Sequence, residues 1–147
     1  MSEMLTKSAA RNIFYGGSLF FFAIFAGLTA HSHIYVLNTT PPVSESVARG
    51  KHVWEKHSCI NCHTILGEGA YYAPEVGNVL KRWGGDKDMK SAKETLKGWM
   101  KSQPSGVAGR RQMPNFNLTE KEVEDLGNFF EWVGKINTQN WPPKVSG

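Results

Sequence analysis

The sequence predicts a mainly α chain: one membrane-crossing helix followed by a domain of short helices joined by long loops. Three observations predict it. From Asn12 to Ser44 the chain holds no Lys, Arg, Asp or Glu. Beyond that stretch, helix-start signals recur at Ser44, at Ser91-Ala92-Lys93-Glu94 and at Thr119-Glu120-Lys121-Glu122. The last two have the form of a capping box, in which a hydroxyl and a carboxylate satisfy each other's backbone N–H groups. No strand signal is strong, and no internal repeat is visible.

At 147 residues the chain holds one domain and an extra element rather than two full domains. Seventeen basic residues face thirteen acidic ones, for a net charge of +4, with no single-sign run of five. That balance gives no nucleic-acid footprint. A mild basic excess fits docking to an acidic protein instead.

The charge-free stretch is the first element. Ile13 to Ala30 is dominated by Phe, Leu, Ile, Ala and Gly, and Ile34-Tyr35-Val36-Leu37 extends it. Residues 13–37 cross a hydrocarbon core of about 30 Å as a helix. His31-Ser32-His33 interrupts the run toward its outer end. A secretory signal is the competing reading. Its apolar region spans only about 7–15 residues and ends at a small-x-small site, whereas Leu28-Thr29-Ala30 lacks the first small residue. A retained anchor is therefore favoured. Lys7 and Arg11 precede it, and no basic residue follows until Arg49, so residues 1–12 are expected in the cytoplasm and the domain outside the inner membrane. Thr39-Thr40-Pro41-Pro42 makes 38–44 a short linker.

After the linker, Ser44 caps a helix with Val47, Gly50 and Trp54 along one face. It runs into Cys59-Ile60-Asn61-Cys62-His63, the Cys-x-x-Cys-His signature of c-type haem attachment. Cys59 and Cys62 add across the two vinyl groups of one haem, and His63 becomes an axial ligand of its iron. With only two cysteines in the chain, a four-cysteine zinc site is impossible. A mixed Cys/His zinc site and a thiol redox pair stay as weaker alternatives. Covalent haem attachment takes place outside the bacterial cytoplasm, which agrees with the charge asymmetry around the span.

Gly67 to Asn78 then reads as a glycine-rich, aromatic loop, and Asn78 to Trp83 as a short helix stopped by Gly84-Gly85-Asp86. A further helix is expected from Ser91 to Lys101, and a loop over Pro104 to Gly109. Behind Thr119, Val123, Leu126, Phe129, Phe130 and Val133 form a one-sided apolar stripe at helical period. The haem domain is thus expected over 45–137, followed by a tail, 138–147, containing Trp141-Pro142-Pro143. About 100 residues of short helices have a marginal core, and a buried haem supplies the missing apolar mass.

Iron held by His63 alone could bind gases, whereas a methionine opposite makes an electron relay. Met113 is favoured over Met89 and Met100, because Pro114 keeps it extended in a loop that can present a side chain. Met89 is expected exposed and Met100 within a helix. A loop methionine packed on core aromatics and a bis-histidine site stay open. Pro74 offers a carbonyl with no competing N–H, which suits it to orient His63; a plain turn proline is the equal alternative.

The order of these elements resembles the class I cytochrome c fold over Ser44 to Asn137, with Gly50 and Phe129 or Phe130 in the roles of that fold's helix crossing. A narrower match rests on His63-Thr64-Ile65-Leu66-Gly67-Glu68-Gly69-Ala70-Tyr71-Tyr72-Ala73-Pro74-Glu75-Val76-Gly77-Asn78 and Met113-Pro114-Asn115-Phe116. With the N-terminal anchor, these make the chain similar to the cytochrome c subunit of bacterial nitric oxide reductase. The resemblance implies one covalent haem c and a large polytopic partner carrying haem b, haem b3 and non-haem iron, which reduces two NO to N2O. It implies electrons arriving from soluble periplasmic carriers such as a small cytochrome c or a cupredoxin. It also implies an interface calcium reached from Gly69 and Tyr71, although the sequence shows no calcium motif of its own. A freestanding membrane-tethered carrier, a small subunit of a related haem-copper oxidase and a haem-based gas sensor are the alternatives. Nothing in the chain offers a nucleophile or acid–base pair.

Overall fold

The computed structural model describes residues 5–138. The expected tail, with Trp141-Pro142-Pro143, lies outside these residues apart from Thr138. The chain divides into two compact units between Thr39 and Thr40.

The first unit is a single helix, α1 (Lys7–Thr39), of 33 residues. At 1.5 Å per residue it is about 50 Å long, and it is long and apolar enough to cross a membrane. None of its residues is buried. It starts before the apolar stretch 13–37 and takes in residues 38 and 39 of the expected linker. His31-Ser32-His33, which interrupts the apolar run, lies inside unbroken helix. Intrahelical bonds satisfy the backbone there whatever the side chains. Near the end, Thr39 Oγ1 donates to the Tyr35 carbonyl at 2.7 Å.

The second unit is built from α2 (Glu45–Lys56), α3 (Val79–Arg82), α4 (Met89–Lys101) and α5 (Glu120–Val133). Ser44 caps α2 by accepting from the Val47 N–H. Thr119 and Glu122 form a complete capping box on α5. The α4 start departs from expectation. Asp88, not Ser91, is the cap, and its carboxylate accepts from the Ser91 N–H. The Ser91-x-x-Glu94 pattern therefore sits inside the helix. Met89, expected exposed, is half-buried and packs on the core, because the earlier start turns it inward.

Helices α2 and α5 cross at Gly50. A β-carbon there would lie 2.0 Å from the Asp125 carbonyl oxygen and 2.7 Å from Phe129 Cβ. Only glycine permits that approach. The apolar stripe of α5 is buried throughout, from Val123 to Val133. Trp54 of α2 meets Phe130 edge-to-face, with ring centroids 5.9 Å apart. A polar stitch runs beside this core. Asp125 is 3% exposed. It accepts from Ser46 Oγ at 2.5 Å and from Arg49 Nε at 2.9 Å. Asn128 donates to Ser46 Oγ at 2.6 Å, and Lys93 of α4 donates to Asn128 at 2.6 Å. Three helices are thereby tied together through side chains.

Candidate haem site

Helix α2 ends at His57, and Cys59–Asn61 forms one 3-10 turn. Within it the Cys62 and His63 N–H groups both donate to the Cys59 carbonyl, at 3.1 and 2.9 Å. The turn thus gathers both thiols and the imidazole into five consecutive residues. Cys62 is exposed and Cys59 half-buried. Burial pushes the Cys59 thiol up to about 11, so it stays protonated at neutral pH until attachment chemistry removes the proton.

The segment after His63 folds back along it. Thr64–Ile65 (β1) pairs antiparallel with Glu68–Gly69 (β2). This small hairpin was not legible in the sequence, where the stretch reads as loop. Its turn places Leu66 and Gly67 at positive φ, 52° and 87°. The chain then runs beside the haem motif: the Ala70, Ala73 and Val76 N–H groups donate to the Ile60, Cys62 and Thr64 carbonyls at 3.0, 2.8 and 2.9 Å. This registers Pro74 opposite His63. The His63 Nδ1–H donates to the Pro74 carbonyl at 2.7 Å.

Glu75 is the residue that sequence reasoning missed. It is buried, and its carboxylate accepts from the Leu66 and Gly77 N–H groups, both at 2.9 Å, and from Gly67 at 3.4 Å. Arg82 of α3 donates to the Glu75 carbonyl at 2.7 Å. The loop that carries Pro74 is thus closed around a carboxylate. The one sequence signal was an acidic residue amid glycines, which by itself is ambiguous.

Met113 is half-buried in the long segment between α4 and α5. Two contacts bracket it. Arg111 donates to the Tyr72 carbonyl, and its guanidinium lies 4.6 Å from the Tyr72 ring centroid. Phe116 lies 5.3 Å from the His57 ring. Met113 is therefore carried by a loop that touches both the Pro74 segment and the end of α2. Gly69 has φ +118° and faces the His63 carbonyl, 2.3 Å from where a β-carbon would stand. Tyr71 and Tyr72 are exposed, at 75% and 52%.

These residues fit a covalently held haem. The His63–Pro74 bond occupies Nδ1, so Nε2 is the ring nitrogen that would meet the iron. Two buried polar atoms beside the motif, His57 Nε2 and Thr64 Oγ1, have no hydrogen-bond partner among the described residues. Among the described residues no group of three or more His, Cys, Asp and Glu gathers that could hold a metal ion.

A family model described as Cytochrome c matches residues 47–134. Over its whole length the chain is 62% identical to the C subunit of nitric oxide reductase from Cereibacter sphaeroides and 59% identical to that from Paracoccus denitrificans, each also covered in full. The chain belongs to the family of nitric oxide reductase C subunits. It is also 30% identical over 82 residues, 56% of the chain and 76% of the relative, to cytochrome c-552 of Hydrogenobacter thermophilus.

Membership carries a haem c domain and an electron-transfer role within a complex that has a separate catalytic subunit. In this chain the Cys-x-x-Cys-His turn lies at the start of the domain, directly behind α2. The apolar helix α1 fits anchoring in the membrane.

Proposed function

We propose that this chain accepts electrons from a soluble periplasmic carrier, a small cytochrome c or a cupredoxin, and passes them to the haem b and non-haem iron subunit that reduces NO to N2O. The observation that carries this reading is the 2.7 Å bond from His63 Nδ1 to the Pro74 carbonyl. It orients the imidazole in the same turn of chain as the two thiols. Cys59 and Cys62 would hold a single haem c, with His63 and Met113 as the ligands of its iron. Bound in this way, the haem supplies reversible one-electron chemistry. The chain's own part is to fix that group: Pro74 orients His63, and the loop between α4 and α5 would bring Met113 to the iron.

Residues 1–12 lie in the cytoplasm, α1 crosses the inner membrane among lipid, and the haem domain over 45–137 faces the periplasm. The charge asymmetry of Lys7 and Arg11 around the span supports that orientation. Exposed Tyr71 and Tyr72 support an interface with the polytopic subunit. Oxygens from Gly69 and Tyr71 contribute to a calcium ion at that junction. Chelation with EGTA is expected to weaken the heterodimer; an unaffected complex argues against the ion.

The test of the whole reading is purification through a tag on this chain after mild detergent extraction. A heterodimer containing haem c, haem b and non-haem iron is expected, with the haem c reduced by the soluble donor and reoxidised on adding NO. A lone monomer would favour a freestanding carrier, and a copper-containing partner a haem-copper oxidase.

A further inference from the structure

We infer that Arg111 is a latch that holds the Met113 loop closed, and so keeps the complex's own substrate off the relay haem. This rests on the reading of Met113 as the second axial ligand. Nitric oxide is a small neutral ligand for iron. A relay whose second axial side came open would bind it and stop conducting. The subunit therefore needs its ligand loop held shut in the presence of the gas.

That loop is long and has little structure of its own. Residues 102–119, between α4 and α5, contain no helix or strand. A segment of that length opens readily unless it is tied down. Gln112 ties it to itself. Its Oε1 accepts from Ser105 Oγ and the Gly106 N–H, at 3.0 and 3.1 Å. Its Nε2 donates to the Val107 and Arg110 carbonyls, at 2.8 and 3.0 Å. All four hydrogen-bonding positions of the amide are used, which braces residues 105–112 next to Met113.

Arg111 ties this braced segment to the rest of the site. It donates to the Tyr72 carbonyl and stacks over the Tyr72 ring. Tyr72 belongs to the segment registered on the haem motif through the Ala73 N–H and the Cys62 carbonyl. One side chain thus connects the loop bearing Met113 to the segment that orients His63. A planar guanidinium makes both contacts at once, which an ammonium does not. Arg111 and Tyr72 are both exposed within this subunit. Phe116, packed on His57 on the other side of Met113, serves as the fixed side of the loop.

The test uses the purified, oxidised complex and imidazole as the probe. Binding is followed through loss of the iron–methionine charge-transfer band, which belongs to haem c alone. Arg111→Ala is expected to show the parental band at rest and to bind imidazole about tenfold faster, the change that about 1.4 kcal/mol of barrier produces. Arg111→Lys is expected to fall between the two. A band already lost at rest in Arg111→Ala but restored in Arg111→Lys also supports the latch. Binding at the parental rate in Arg111→Ala overturns it, as does a resting loss that Arg111→Lys does not restore. Met113→Ala separates the two readings. If it keeps the band, the ligand assignment fails. If it loses the band while Arg111→Ala binds at the parental rate, only the latch fails.

Discussion

The His63 imidazole and the Pro74 carbonyl are 2.7 Å apart, with Nδ1 as donor. A carbonyl only accepts, so Nδ1 carries the proton of this bond, and the ring orientation is fixed by it. Proline suits the position because it contributes the acceptor and no competing donor. Its neighbours on both sides hold it there: Ala73 bonds back to Cys62, and the Glu75 carboxylate gathers three loop N–H groups.

Glu75→Ala is expected to leave those N–H groups unsatisfied. The cost is about 2 kcal/mol, with the loop free to recover some bonds to water. Because the same loop carries Pro74, the haem c reduction potential should shift together with the melting temperature. A fall in stability with an unmoved potential would limit Glu75 to a purely structural role. Redox titration beside thermal melting of the complex measures both.

Gly50→Ala is expected to be severe. The new β-carbon meets backbone, the Asp125 carbonyl oxygen at 2.0 Å and its carbon at 2.6 Å. No rotamer change relieves that, so α2 and α5 must part. The cost is about 3 kcal/mol, enough to cut the yield of haem-loaded subunit severalfold. Yield read from haem c absorbance checks it; a parental yield and melting temperature would show that the helices can separate freely.

The domain is expected to weaken in acid. Hydrogen bonds from Arg49 hold the Asp125 carboxyl well below its ordinary value of 3.8, against the opposing effect of burial. Backbone bonding from Thr119, then Lys56, pushes Glu122 down to about 2 from 4.5. Both folded-state values are depressed. Their stabilisation is therefore full above the ordinary carboxylate values and is lost as pH falls toward the folded ones. Melting temperature should hold from about pH 7 to 5 and drop between about 4.5 and 2. Asp125→Asn should lower it at neutral pH and flatten the acid slope. An unchanged slope in that variant would place the acid sensitivity elsewhere.

Much of the fold was legible because it is written in local signals. Ser44 and Thr119 announce their helices by side-chain chemistry, and the α5 stripe from Val123 to Val133 gives its buried face by period. The haem motif is legible from the spacing of Cys59, Cys62 and His63. Ser91 misled because a capping box is a pattern of residue types, and Asp88, three residues earlier, captured its N–H first. The hairpin at Thr64–Gly69 was invisible because two-residue strands have no period. Glu75, Arg111 and Gln112 act on backbone groups, and which backbone groups come near is settled only by the folded loop.

The charge-transfer band of iron–methionine coordination in the oxidised complex is the most direct measurement. The proposed ligand set pairs Met113 with His63. The parental complex is expected to show the band and Met113→Ala to lack it, with haem c still covalently attached through Cys59 and Cys62. A spectrum unchanged by Met113→Ala would contradict the assignment and return the second axial position to another ligand.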